Sequence, residues 1–358
     1  MPQMLKNSNS GRPRAGSVRR MWLMVGMALM ALVLPLGLGL LHGAVPDAEA
    51  AFEGDANPRS DYWRAVREGN QGYTAVKGQE TNVLIQNGGE NWRQLRNGPL
   101  ALFGGWLMAA SLLILALFHL VGGRAKLEER TGRKVMRWSA WERVMHWFVA
   151  ILFIVLAITG LSLLYGRAVL IPVMGPEAFA AYAQFAKDSH NILALFFVVG
   201  LLAMIISWAH ENLLTKVDWE WFKAGGGYLG KGHPHAYKAN AGEKMWFWIL
   251  TFAGIVMMAS GAILLFPNMG WERGTMQLST LIHAASSILL IALSFGHIYL
   301  GTLGNEGSLE GMITGEVDEG WARQHHDLWY EEVYGKGGAS QGAAADTGAA
   351  PGGQPRTA

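Results

Sequence analysis

Five apolar stretches, each near the roughly 20 residues that cross a bilayer, constrain this chain more than any other feature. They run Pro99–Val121, Val144–Tyr165, Asn191–Trp208, Met245–Phe266 and Leu278–Thr302. Lipid offers no water to unpaired backbone groups, so such spans must be helical, and the expected fold class is an all-α membrane protein. The balance of 51% hydrophobic against 16% charged residues fits that class. The 46 glycines suit close helix packing in lipid. No basic tract is interleaved with aromatics, which argues against a nucleic-acid partner. The chain has no cysteine, so it cannot itself hold an iron–sulfur cluster, a c-type haem or a thiolate zinc. Redox chemistry here must use histidine-ligated or externally supplied cofactors.

The amino end reads as a signal peptide over residues 1–50. Arg12, Arg14, Arg19 and Arg20 precede an apolar run, and Ala48-Glu49-Ala50 forms a cleavage site. An uncleaved anchor helix is the alternative, because the run is long. Residues 51–98 form a polar periplasmic segment too short for a core of its own. Residues 99–121 are the first span, and 122–143 a basic loop with Arg124, Lys126, Arg130, Arg133, Lys134, Arg137 and Arg143. The next loop carries only Arg167 and Lys187, the third five lysines, and the fourth Arg273 alone. The positive-inside rule then puts the first and third loops in the cytoplasm, the mature amino end in the periplasm and the carboxyl end in the cytoplasm. Residues 304–334 form a cytoplasmic tail, and the Gly/Ala-rich 335–358 a disordered one. The expected location is a bacterial inner membrane.

Histidine inside lipid is costly and usually functional. His146 lies near the cytoplasmic end of the second span, His190 at the outer mouth of the third, and His283 and His297 both in the fifth. Fourteen helical residues advance about 21 Å and turn about 1400°, close to whole turns. His283 and His297 therefore share a face at two depths. His190 matches the outer depth and His146 the inner one. Two level-matched imidazole pairs suit two haem b groups, whose iron takes axial ligands from opposite sides. Gly160 shares the His146 face, and Gly261 lies in the fourth span. Both offer haem clearance, although helix packing explains glycines equally well. Helix packing or interhelical hydrogen bonding is likewise the bland alternative for each histidine. His119 and His210, at cytoplasmic helix ends, offer a pair for a third site but read better as interfacial hydrogen-bonding residues, because neither has a partner at a second depth. His233, His235, His325 and His326 read as solvated or interface groups, since nothing completes a metal site.

Several strings then carry a resemblance: Glu142-Arg143-Val144-Met145-His146-Trp147, Asn240-Ala241-Gly242-Glu243-Lys244-Met245, Leu281-Ile282-His283-Ala284-Ala285, Gly307-Ser308-Leu309-Glu310-Gly311-Met312-Ile313 and Trp321-Ala322-Arg323-Gln324-His325-His326. Together, over about Lys134–Tyr334, the chain resembles the gamma (cytochrome b) subunit of membrane-bound respiratory formate dehydrogenase. The resemblance implies a four-helix di-haem cytochrome b bundle over 144–303 plus an additional amino-terminal transmembrane helix. It implies haem iron ligation by His146 with His297 and by His190 with His283. It implies a quinone pocket (menaquinone or ubiquinone) near His297, with Asn240, Gly242 and Glu243. One familiar form of the family has Gln where Glu243 stands; Glu243 either relays a proton or pairs with a neighbouring cation. Gly72-Tyr73-Thr74-Ala75-Val76 resembles a longer form of the subunit. The implied partners are an iron–sulfur beta subunit and a molybdenum or tungsten catalytic alpha subunit, which oxidises formate in this chain's stead. The bare histidine pattern also suits cytochromes b of nickel–iron hydrogenase or thiosulfate reductase. A haem-free transporter or membrane scaffold is the rival of another class.

Overall fold

The computed structural model describes residues 87–335 apart from 122–123 and 229–231, together with Asp61, Arg64 and Glu68. The expected signal segment with His42, most of the 51–98 segment and the tail beyond Gly335 lie outside the described residues. Five helices among the described residues are long and apolar enough to cross a membrane, and the chain is a multi-pass membrane protein. Helix α1 (Asn87–Leu95) runs through a π-type turn (Arg96–Leu100) into α2 (Ala101–Val121). The expected polar end of the 51–98 segment is thus helical. Glu90 accepts from Arg93 and Gln94 one turn on, a spacing that supports helix.

Helices α3 (Ala140–Val169) and α4 (Ile171–Trp208) form one hairpin, and α6 (Ala241–Leu265) and α7 (Arg273–Tyr299) a second. Between the hairpins lies α5 (Lys216–Lys223). Helix α4 begins well before the expected Asn191, with a break at Gly175 (φ 80°), just before Pro176. Hydropathy marks only lipid-crossing residues, whereas the early part of α4 is held by packing. Phe179 covers Gly166, and the Tyr182 and Ser162 hydroxyls lie 2.9 Å apart. His190 consequently sits within the helix, one residue before the expected span.

Met145, Val149, Leu152, Phe197, Leu201 and Met204 pack inside the first hairpin. The hairpins meet through α4 with α6 and α3 with α7. Helix α2 docks on α7, where a Cβ at Gly104 would strike Ile288. The Tyr165 hydroxyl, from α3, donates to the Ala101 carbonyl at 2.8 Å. Large apolar side chains such as Leu113, Ile158, Val199 and Ile206 stay exposed, as a lipid-facing surface requires.

The basic loop and the expected tail fold onto each other as a polar cap. Strand β1 (Lys134–Met136) pairs antiparallel with β2 (Glu316–Asp318), Val135 opposite Val317. Helices α8 (Ser308–Thr314), α9 (Glu319–His325) and α10 (Asp327–Tyr334) complete the cap, whose core is Val317, Trp321, Ala322, Trp329 and Tyr330. Arg130 and Lys134 pair with Glu310 at 2.9 and 2.7 Å. Asp318, only 3% exposed, accepts from the backbone N–H groups of Thr131, Gly132 and Gly320. Burial opposes ionisation of Asp318, but these donors prevail and hold its carboxyl below the usual range.

Candidate haem-binding site

The structure brings the four span histidines together in two pairs, each bridging the hairpins. The His190 and His283 ring centres stand 6.3 Å apart, and those of His146 and His297 6.2 Å apart. A metal–imidazole bond is about 2 Å and a ring centre lies about 1 Å behind its nitrogen, so two imidazoles sharing one ion stand about 6 Å apart. Both pairs have the spacing that a bis-histidine haem demands.

The hydrogen bonds of the first pair fit the same role. Thr159 Oγ1 lies 2.8 Å from His190 Nδ1. His283 Nδ1 lies 3.1 Å from the Met257 carbonyl and 3.3 Å from Ser260 Oγ. A carbonyl only accepts, so His283 Nδ1 carries hydrogen and its Nε2 keeps a lone pair for a metal. In the second pair, His146 Nδ1 is buried without a hydrogen-bond partner among the described residues. His297 stacks on Trp246, with ring centres 4.9 Å apart and planes 13° apart.

Gly160 and Gly261 both face imidazoles. A Cβ at Gly160 would lie 3.3 Å from His190 Cε1, and one at Gly261 3.2 Å from His283 Cε1. Their contacts are with the ring edges, a role that spacing along one helix does not reveal. Thr159 and Ser260, each just before one of these glycines, are site residues that sequence reasoning missed.

Beside the His146–His297 level, Asn240 and Glu243 cap the start of α6. Asn240 Oδ1 accepts the Glu243 N–H at 3.0 Å, and the Glu243 carboxylate accepts the Asn240 N–H at 3.0 Å. Glu243 also pairs with Arg137 at 3.1 Å and lies within Coulombic reach of His297. Gly242 sits under Trp221, which a Cβ would meet at 3.1 Å. Asn240 lines a cavity of about 170 Å³ with Phe118, Trp221, Tyr228, Arg124 and His325. Burial, then the neighbouring Tyr299 and Glu243, push the Tyr228 hydroxyl up to about 12.

Arg137 is the centre of the cap. Its guanidinium lies between Trp138 and Trp321, 4.8 and 4.9 Å from their ring centres. It donates to the Lys238 carbonyl at 2.7 Å and approaches His326 Nε2 at 3.1 Å. His326 is 1% exposed and donates through Nδ1 to the Tyr237 carbonyl at 2.7 Å, which corrects the expectation of a solvated or interface side chain. Burial first, then the adjacent Arg137 charge, lower its pKa to about 3. Burial, then His233, lower that of His325 to about 4. His119 Nδ1 lies 3.2 Å from the Tyr299 hydroxyl, a hydrogen-bonding role of the kind expected, and His210 is exposed.

Residues 137–315 match the family model described as prokaryotic cytochrome b561. The chain is similar to the nitrate-inducible formate dehydrogenase cytochrome b556(Fdn) subunit of Escherichia coli, 30% identical over 207 residues, which is 56% of this chain and 92% of that protein. A formate dehydrogenase cytochrome b556 subunit of Haemophilus influenzae is 30% identical over 222 residues, 59% of this chain and 89% of the relative. The Escherichia coli formate dehydrogenase cytochrome b556(fdo) subunit is 27% identical over 203 residues, 56% and 93% respectively.

Proposed function

The chain belongs to the prokaryotic cytochrome b561 family, and from that premise we propose that it is the di-haem cytochrome b subunit of a formate dehydrogenase. It anchors the complex and carries electrons from a periplasmic iron–sulfur subunit, by way of two b haems, to quinone at the cytoplasmic side. The family implies haem b. Haem iron held between two imidazoles supplies one-electron transfer without an open position for oxygen. In this reading His190 and His283 hold one group and His146 and His297 the other, and Gly160 and Gly261 give clearance. The observation that carries it is the pair of imidazole couples with metal-sharing separation, one helix contributing to both.

Asn240 is the best-placed quinone contact. Its Oδ1 serves the helix cap, leaving its amide N–H groups for a ligand in the cavity that it lines. Glu243 and Gly242 shape that end of α6, Glu243 through Arg137 and Gly242 through Trp221. The Glu243 carboxylate, which pairs with Arg137 and accepts the Asn240 N–H, anchors that end of the pocket as an ion-paired group and not as a free proton relay. Menaquinone and ubiquinone both suit such a pocket. The catalytic alpha subunit, with molybdenum or tungsten, oxidises formate; this chain does not. The cap faces the cytoplasm, as its arginines and lysines suggest.

The deciding experiment is a dithionite-reduced minus oxidised spectrum of the detergent-purified chain, with haem counted per polypeptide. A b-type spectrum with two haems per chain is expected. A colourless protein after haem-replete expression would overturn the reading in favour of a transporter or scaffold.

A further inference from the structure

Two notches of the same construction hold the His190–His283 pair. In α3 the Thr159 hydroxyl reaches the carbonyls of Val155 at 2.9 Å and Leu156 at 3.1 Å. In α6 the Ser260 hydroxyl reaches those of Val256 at 2.8 Å and Met257 at 3.2 Å. A hydroxyl has one hydrogen, and carbonyls only accept. With its hydrogen on its own helix, each hydroxyl is left to accept from an imidazole. For His283, Nδ1 enters where the Ser260 hydroxyl and the Met257 carbonyl meet; for His190, Nδ1 meets the Thr159 hydroxyl, which is itself bonded to the Leu156 carbonyl three residues earlier. The residue after each hydroxyl is the glycine whose missing Cβ admits the ring edge. The two helices share hydroxyl, glycine and carbonyl at identical offsets.

Among the described residues nothing equivalent holds the other pair. His146 Nδ1 is buried without a partner among the described residues, and His297 lies flat against Trp246.

We propose that Thr159 and Ser260 are positioning residues that fix His190 and His283 with hydrogen on Nδ1, and so set the reduction potential at this pair below that at His146 and His297. The inference rests on the di-haem reading. A hydrogen bond donated by Nδ1–H moves electron density to Nε2 and makes it a stronger donor to the oxidised metal. Reduction there is disfavoured relative to the pair without such bonds. One-electron equivalents entering at the His190–His283 level then run downhill toward the cap.

The test is a spectroelectrochemical titration of the full chain in membranes, with its partner subunits. The wild type should show two one-electron waves. In Thr159→Val/Ser260→Ala the lower wave should move positive by about tenfold in the reduction equilibrium, which is 59 mV for one electron, while the upper stays in place. A lower wave that does not move, or movement of the upper wave instead, overturns the proposal. If the double variant loads only one haem, Thr159→Val is compared with Thr159→Ser. Wild-type behaviour in Thr159→Ser with a shifted or missing lower wave in Thr159→Val supports the proposal. Equal behaviour of the two overturns it. A wild type without two b-type waves refutes the di-haem reading itself, an outcome separate from these.

Discussion

An imidazole has two nitrogens, and a neighbour that occupies one decides what the other does. That is how Ser260 and Met257 act on His283. Replacing His283 with Ala is expected to lower the haem count from two to one per chain, leaving the His146–His297 site loaded. A pyridine haemochrome assay checks the count, and retention of both haems would refute the pairing. The four histidines were legible in the sequence because an ionisable group in lipid is conspicuous, and one helical repeat sorts them by depth. Thr159 and Ser260 were not legible. A serine or threonine within a span commonly bonds its own helix, and nothing marks one that also receives an imidazole. His326 was misread because a charge-rich segment looks solvated until its partner Arg137, far away in sequence, is in place.

Three helices begin with an acidic residue that closes the first turn and also meets a cation from another segment. Glu142 bonds the Ser139 N–H and Lys238 at 2.7 Å. Glu243 bonds the Asn240 N–H and Arg137. Asp218 bonds Thr215 and Lys244 at 2.9 Å. The last pair is the most deeply enclosed, with 2% and 6% of the side chains accessible. Lys244→Ala would strand the Asp218 carboxylate and should destabilise the α5–α6 junction by about 3 kcal/mol. Chemical denaturation in detergent, followed by tryptophan fluorescence, would measure it; a loss below about 1 kcal/mol would place the pair with surface ion pairs. The apolar spans were legible by length. Their true ends were less so, because capping and packing set them, as the start of the unbroken part of α4 just after Gly175, well before Asn191, shows.

On the scale of the molecule, the five spans among the described residues carry a polar cap with its own core, and the two parts answer to different variables. The cap should loosen as pH falls. His325 and His326 are held neutral when folded, with pKa about 4 and about 3, against about 6.5 unfolded. Between those limits the unfolded chain binds more protons, so this stability is intact above about 6.5 and declines below it. Asp318 and Asp327, both lowered when folded, add a loss of the same sign at lower pH. His235, raised by Asp327, works in the opposite sense but is well exposed and weakly coupled. Hydrogen exchange of residues 316–334 between pH 7 and about 4 should show faster opening on acidification, and unchanged protection would contradict it. Because the chain lacks cysteine, single replacements report sidedness cleanly. Glu331→Cys should react with an impermeant maleimide in inside-out vesicles and Asn268→Cys in right-side-out ones; the reverse would invert the proposed orientation.

The pairing of β1 with β2 joins Lys134 to Asp318. At about 5–20 residues per second of synthesis, the first strand waits on the order of ten seconds or more for its partner. Until then Arg137 lacks His326 and the Trp321 face of its aromatic sandwich. Closure of the cap thus marks the end of assembly, and a chain stopped at Gly315 would keep its membrane helices while presenting an open strand edge to the proteases that survey unfinished proteins.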